Sequence, residues 1–150
     1  MTMCLIRLLA LLLLLAAPAT LQAQEKPVAA GLESFIARVA RLWEAEDAAA
    51  LAALAPSTGR MVLEVPGEGT GPVQERHAAA ALRALFAERQ SVAARPGRVT
   101  VAGGDPLQGF GEIAWRSRSR GVSAPRASTV YVGAVLDGGE WRIRELRVLP

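Results

Sequence analysis

The chain closes on GGEWRIRELRVLP, residues 138–150, and this stretch decides the fold. A terminal tail without partners frays, yet this one alternates charged and apolar residues almost to its end. Trp141 and Ile143 share one face, and Leu146 and Val148 resume the rhythm in the opposite phase after Glu145. A one-residue slip in an alternating strand is the pattern of a β-bulge, which bends a strand and curves its sheet. Immediately upstream, Asp137-Gly138-Gly139 suits a tight hairpin, because type I′ turns need positive φ at both central residues. The last strand therefore pairs with ASTVYVGAVLD, residues 127–137, whose two apolar faces mark a central strand.

Working outward, GFGEIAWRSRSRG (109–121) alternates cleanly. Phe110, Glu112, Ala114, Arg116, Arg118 and Arg120 take one face; Ile113, Trp115, Ser117 and Ser119 take the other. SVAARPGRVTVAGG (91–104) predicts a strand around Val99–Ala102, starting earlier if it is bulged near Pro96–Gly97. The second half of the chain thus reads as antiparallel sheet.

The first half reads differently. Leu32, Phe35, Ile36, Val39, Leu42 and Trp43 recur at helical spacing and form one buried face, opposite Glu33, Ser34, Arg38 and Arg41. The pattern resets near Glu46, and Asp47 caps a second, short helix through AAALAALA that Pro56 stops. GRMVLEVPG (59–67) predicts a strand with Met61, Leu63 and Val65 on one face. In GEGTGPVQ (67–74) the glycines raise the question of a phosphate cradle. The lysine-serine/threonine ending of a nucleotide loop is absent, as is a strand-glycine-helix unit with a later acid. A plain loop is expected instead, with Pro72 opening a third helix that runs to about Arg89 and buries Ala78, Leu82, Leu85 and Phe86.

The N-terminal segment is read as an export signal: Arg7, the apolar run Leu8–Ala17, then Pro18 and small residues. Cleavage is expected after Ala23, with Ala19 the alternative, and an uncleaved anchor is disfavoured because spanning a bilayer takes about 20 apolar residues. This divides the chain into a signal (1–23), a loose polar lead-in (24–30) and one domain (31–150), placed in the periplasm or outside the cell, with no stable membrane insertion after cleavage. Cys4 is the only cysteine and leaves with the signal, so disulfides, thiolate metal sites and cysteine nucleophiles are excluded from the mature chain. The formal charge of +3 falls to +2 when Arg7 is removed, and all remaining basic residues except Lys26 are arginine. So small a net charge, spread along an exported chain, gives no reason to expect a nucleic-acid partner despite a pI near 10.0.

The order of elements, with the corner LWEAEDAAALAAL (42–54), the helix HAAAALRALF (77–86) after a Gly-rich strand exit, and the ending WRIRELRV (141–148), resembles the nuclear transport factor 2-like superfamily. That superfamily, also called cystatin-like, includes ketosteroid isomerase and SnoaL-like polyketide cyclases. The resemblance covers about Gly31 to Pro150 and is nearest to exported bacterial members without assigned activity. In those members a glutamine stands where this chain has His77, and a phenylalanine where it has Leu85. It implies an α+β fold in which a curved antiparallel sheet of four to five strands wraps three helices from the first half and leaves a cone-shaped cavity. Dimerisation through the open sheet face is implied by the resemblance alone.

Ketosteroid-isomerase-like members use a catalytic aspartate, a tyrosine and a protonated aspartic acid in that cavity. No such set transfers. Tyr131 lies in a late strand, and Asp47, Asp105 and Asp137 occupy a helix cap and two turns. Isomerase and dehydratase chemistry is therefore disfavoured. Three readings of function remain. A non-catalytic module would line its cavity with Phe35, Val39, Trp43, Phe86, Trp115 and Tyr131 and take a small apolar ligand or a protein partner; against this, large aromatics dominate core packing and the same residues are expected first of all to fill the core. A cavity enzyme would use His77 or Glu112 as acid or base, against a packing role for the single histidine and a surface position for Glu112. An anion binder would use Arg116, Arg118 and Arg120, against a solvated strand face. A lone histidine builds no metal site, and no metal or cofactor is expected.

Overall fold

The computed structural model describes residues 18–150, with side chains from Lys26 onward; Cys4 and most of the expected signal segment lie outside the described residues. The elements are α1 (Pro18–Glu44), α2 (Ala48–Ala52), β1 (Arg60–Glu64), β2 (Gly71–Gln74), α3 (Glu75–Glu88), β3 (Arg89–Gly103), β4 (Gln108–Ser119), β5 (Arg126–Asp137) and β6 (Glu140–Leu149). Helix α1 already includes residues 24–30, which the sequence reading treats as a lead-in ahead of the helix.

The corner between α1 and α2 forms as its residues dictate. Glu46 takes a left-handed φ of 57°, and the Asp47 carboxylate accepts a hydrogen bond from the Ala50 amide at 3.0 Å, which satisfies one of the free donors of the first helical turn. The six strands form one sheet in the order β2-β1-β6-β5-β4-β3. That is one strand more than expected, and the sheet is mixed: β1 runs parallel to β6, with Val62, Leu63 and Glu64 opposite Glu145, Leu146 and Arg147. The additional strand is β2, where the sequence reading placed a loop and the start of α3. Pro72 sits there opposite Val62 on the sheet edge. An edge strand tolerates a residue with no N–H, so Pro72 need not open a helix.

The bend in the last strand falls where the alternation slips. Gly133 pairs with Glu145 and Ala134 with Ile143, leaving Arg144 as the extra residue. Strand β3 carries three further register shifts, one of them between Pro96 and Val99. Its outer edge is partly closed by the end of α1: Glu44 accepts from the Ala94 amide at 2.8 Å and Glu46 from the Ser91 amide at 2.6 Å. Edge amides left bare are sites for unwanted pairing.

The helices pack on one face of the sheet around a single hydrophobic cluster. Leu32, Ile36, Val39, Trp43, Leu51, Leu82, Ile113, Trp115, Val130, Val132, Ile143 and Leu146 are all fully buried in it. Two glycines of β4 permit this approach. A Cβ on Gly109 would stand 2.4 Å from Leu32 Cδ2, and one on Gly111 2.5 Å from Ile36. Helix α1 therefore rests on bare backbone at these two positions.

Candidate functional site

Of the expected cavity residues, Phe35, Val39, Trp43, Phe86 and Trp115 come together, and all five are buried. Trp43 meets Phe86 edge-to-face at 5.2 Å between centroids and Trp115 at 5.4 Å, and Phe86 meets Trp115 at 6.4 Å. These are the separations of well-packed aromatic pairs, so the three large rings pack on one another in the core. The Trp43 Nε1 donor is buried without an acceptor among the described residues. Tyr131 is not with them. The inward positions of β5 are Ser128, Val130, Val132 and Ala134, so Tyr131 projects from the opposite face, stacked on Phe110 with centroids 5.8 Å apart. Partial burial and the neighbouring Glu145 carboxylate raise its phenol pKa above the usual value.

The acid-base candidates also lie apart. Glu112 pairs across from Tyr131 and is exposed on that outer face. His77, on the first turn of α3, is exposed with its Nε2 3.3 Å from Glu68 Oε2. The arginine row divides: Arg116 and Arg118 point outward and are exposed, whereas Arg120 follows the end of β4 and its Nε donates to the Ala87 carbonyl at the end of α3.

The residue that the sequence reading did not single out is Arg89. It is the C-cap of α3 and the first residue of β3, and it is 9% exposed. Its side chain turns under the sheet. Nε and Nη2 donate to Ser117 Oγ at 3.1 and 2.7 Å, and Nη2 donates also to Ser128 Oγ at 3.0 Å. Its Cζ stands 4.2 Å from the Trp115 ring centroid, within the range of a cation–π contact. The ring itself is oriented by a hydrogen bond from Nε1 to Ser91 Oγ at 3.0 Å. Burial, and secondarily the charge of Arg126, lower the Arg89 pKa. Among the described residues no carboxylate forms an ion pair with Arg89, Arg120 or Arg126.

Beside Arg89 opens a pocket of about 540 Å³, lined by Pro66, Glu88, Arg89, Ser119, Arg120, Arg126, Ser128 and the segment Val148–Pro150. This volume lies within the roughly 300–1,000 Å³ of small-molecule sites. The pocket sits where α3 ends and β4, β5 and β6 have their termini. Among the described residues no group of His, Asp or Glu side chains could hold a metal ion, and no helix is long and apolar enough to cross a membrane.

Comparison with known proteins agrees with this architecture. A ketosteroid isomerase-like protein from Erwinia carotovora atroseptica superposes with a TM-score of 0.68 at 18% identity, over 80% of this chain and 93% of that one. A protein from Novosphingobium aromaticivorans, described as nuclear transport factor 2-like with a cystatin-like fold, gives 0.59 at 21% identity over 89% and 90% of the two chains. The chain has the nuclear transport factor 2-like fold. ActVI-ORFA from Streptomyces coelicolor shares it, with a TM-score of 0.59 at 16% identity over 81% of this chain and 96% of that one. No family model matches the sequence, and no curated protein matches it. At these identities the likeness establishes the nuclear transport factor 2-like architecture alone.

Proposed function

We propose that the protein is an exported, non-catalytic binding module that holds one small molecule in the pocket between the end of α3 and the ends of β4–β6. The observation that carries this reading is the pocket's floor. It is a polar cluster fixed in advance, with Arg89 held by Ser117, Ser128 and the Trp115 ring at the inner end of an open space of about 540 Å³. Preorganised polar groups beside apolar walls, here Pro66, Val148 and Leu149, are the usual make-up of a ligand site. Binding is favoured over turnover by the titratable side chains that line it. Arg89, Arg120 and Arg126 do not give up protons near neutral pH, which leaves Glu88 as the one side chain able to exchange them. Neither His77 nor Glu112 is among the lining residues.

On this reading the segment 1–23 carries the chain to the periplasm or beyond, where it acts alone or as a homodimer. Native mass spectrometry of protein purified from the exported fraction tests the whole proposal. The expected result is the mass of a chain starting at Gln24 with a small-molecule adduct that collisional activation removes. A chain that carries no adduct, and that takes up nothing from a small-molecule extract of its own cells, would refute the binding role.

A further inference from the structure

We infer that the ligand of this pocket is an amphiphile with a single oxyanion head group, carboxylate or phosphate ester, received by the guanidinium of Arg89. The inference rests on the binding reading above and deepens it. Arg89 is 9% exposed as a residue and its side chain borders the pocket; a cation drawn this far out of water normally has an opposite charge to compensate it. Arg89 has hydroxyl groups and an aromatic face but no carboxylate. Its nearest charged influence is another cation, Arg126, which makes the missing anion more conspicuous.

The donors are arranged for such a guest. Nε and Nη2 are occupied by Ser117 and Ser128, whereas Nη1 takes part in none of these bonds. An arginine has five N–H donors, so both Nη1 hydrogens remain for a ligand. Arg89 lines the open space, and Nη1 is the guanidinium nitrogen not engaged by the two serines. Arg126 and Arg120 add positive charge at the exposed rim, where Glu88 is the one acidic side chain and Pro150 also lines the wall. The alternative role for these cations is to neutralise the carbonyl end of α3. Arg120 does this, through the Ala87 carbonyl. Arg89 does not, because its side-chain bonds all go to serines of the sheet. The other wall is apolar: Pro66, Val148 and Leu149, the last 39% exposed. An anion with a short hydrocarbon tail satisfies both walls, and a bare inorganic ion satisfies one.

The test is calorimetric titration of the purified protein with octanoate, octyl phosphate and the uncharged 1-octanol, repeated on Arg89→Met and on the rim variant Arg126→Ala. At least one of the two anions is expected to bind about tenfold or more tightly than octanol, the value of one charge-assisted hydrogen bond. That preference should vanish in Arg89→Met, weaken severalfold in Arg126→Ala, and fall with added salt. Whichever anion binds better identifies carboxylate or phosphate as the head. Arg126 is exposed, so its variant keeps the test sound even where Arg89→Met fails to fold. Octanol binding as tightly as both anions would overturn the anionic head while leaving the binding role standing. Saturable binding by none of the three would overturn the inference, and an adduct in native mass spectrometry would then decide the binding role separately.

Discussion

The contact between α1 and β4 gives the sharpest test of the fold, through Gly111→Ala. A Cβ at position 111 would stand 2.5 Å from both Cδ1 and Cγ1 of Ile36 and 2.9 Å from Cγ2. Carbon atoms settle at roughly 3.5–4.0 Å, so three atoms overlap by about 1 Å. Ile36 is fully buried, and a close-packed interior offers it no void to enter. Overpacking of this kind costs about 1–3 kcal/mol, and a three-atom overlap with a fully buried isoleucine belongs at the upper end. The reduced freedom of the unfolded chain returns about 0.4–1 kcal/mol. The net expectation is a loss of about 2 kcal/mol, which for a domain of this size lowers Tm by about 8 °C. Thermal and urea unfolding followed by circular dichroism read both values. Ile36→Ala removes all three clashing atoms, so it should cost about 2 kcal/mol less in the Gly111→Ala background than in the parent. Gly69→Ala, with nothing within 4 Å of its Cβ, is the neutral control. A Gly111→Ala protein as stable as the parent, or strict additivity with Ile36→Ala, would refute the claim that α1 rests on bare β4 backbone.

Two further predictions concern pH. Tyr131 is the only tyrosine, so its ionisation can be followed directly by tyrosinate absorbance. The native midpoint should lie above that of the unfolded chain, because burial first and Glu145 second disfavour the phenolate, and Glu145→Gln should lower it in part. The folded pKa is raised, so the associated stability is full below the unfolded value near 10 and is lost as pH rises through the folded one; a native midpoint at or below the unfolded one would contradict the outer-face environment described for this ring. Asp137 behaves oppositely. It accepts the Ser57 amide at 2.7 Å, which holds its carboxyl below the ordinary aspartate value. Its contribution is present above the unfolded pKa near 3.9 and is lost as pH falls through the folded one. Urea midpoints of Asp137→Asn and the parent should therefore differ at pH 6 and converge toward pH 2, and a constant gap would sink the assignment.

What was legible in the sequence depended on pattern length. Strands β4, β5 and β6 have ten or more residues each, enough for alternation to place Ile113 and Trp115 inward and to locate the slip beside Glu145. The Asp47 cap was legible because capping is a local act of one side chain on the next turn. Strand β2 was not: four residues containing a glycine and a proline carry no alternation, and only the β1 edge makes them a strand. Tyr131 was misplaced because β5 is apolar on both faces, which removes the contrast that tells inside from outside. Arg89 escaped because it stands at a junction, where it belongs to neither the helical stripe nor the strand alternation. Its signal lay elsewhere, in Ser117. A hydroxyl continuing the inward face of Ile113 and Trp115 needs a buried polar partner, and that requirement points to the arginine.

Trp115 connects the two halves of the molecule. One side of its environment is the packed contact with Trp43 and Phe86, and another is the guanidinium of Arg89. Its Nε1 is tied to Ser91 on β3, two residues from Arg89 itself. The ring is thus fixed by the core and in turn fixes the cation. A binding group mounted this way keeps its geometry without a ligand, which reduces the ordering cost of binding. The same arrangement lets packed aromatic rings and the pocket proposed as a site share one residue, Trp115. The helices and the aromatic rings pack beneath the middle of the sheet, and among the described residues the buried polar side chains, Arg89, Ser117 and Ser128, lie where β3, β4 and β5 run past the end of α3. The packed rings hold Trp115, and Trp115 with Ser117 and Ser128 holds Arg89 beside the pocket.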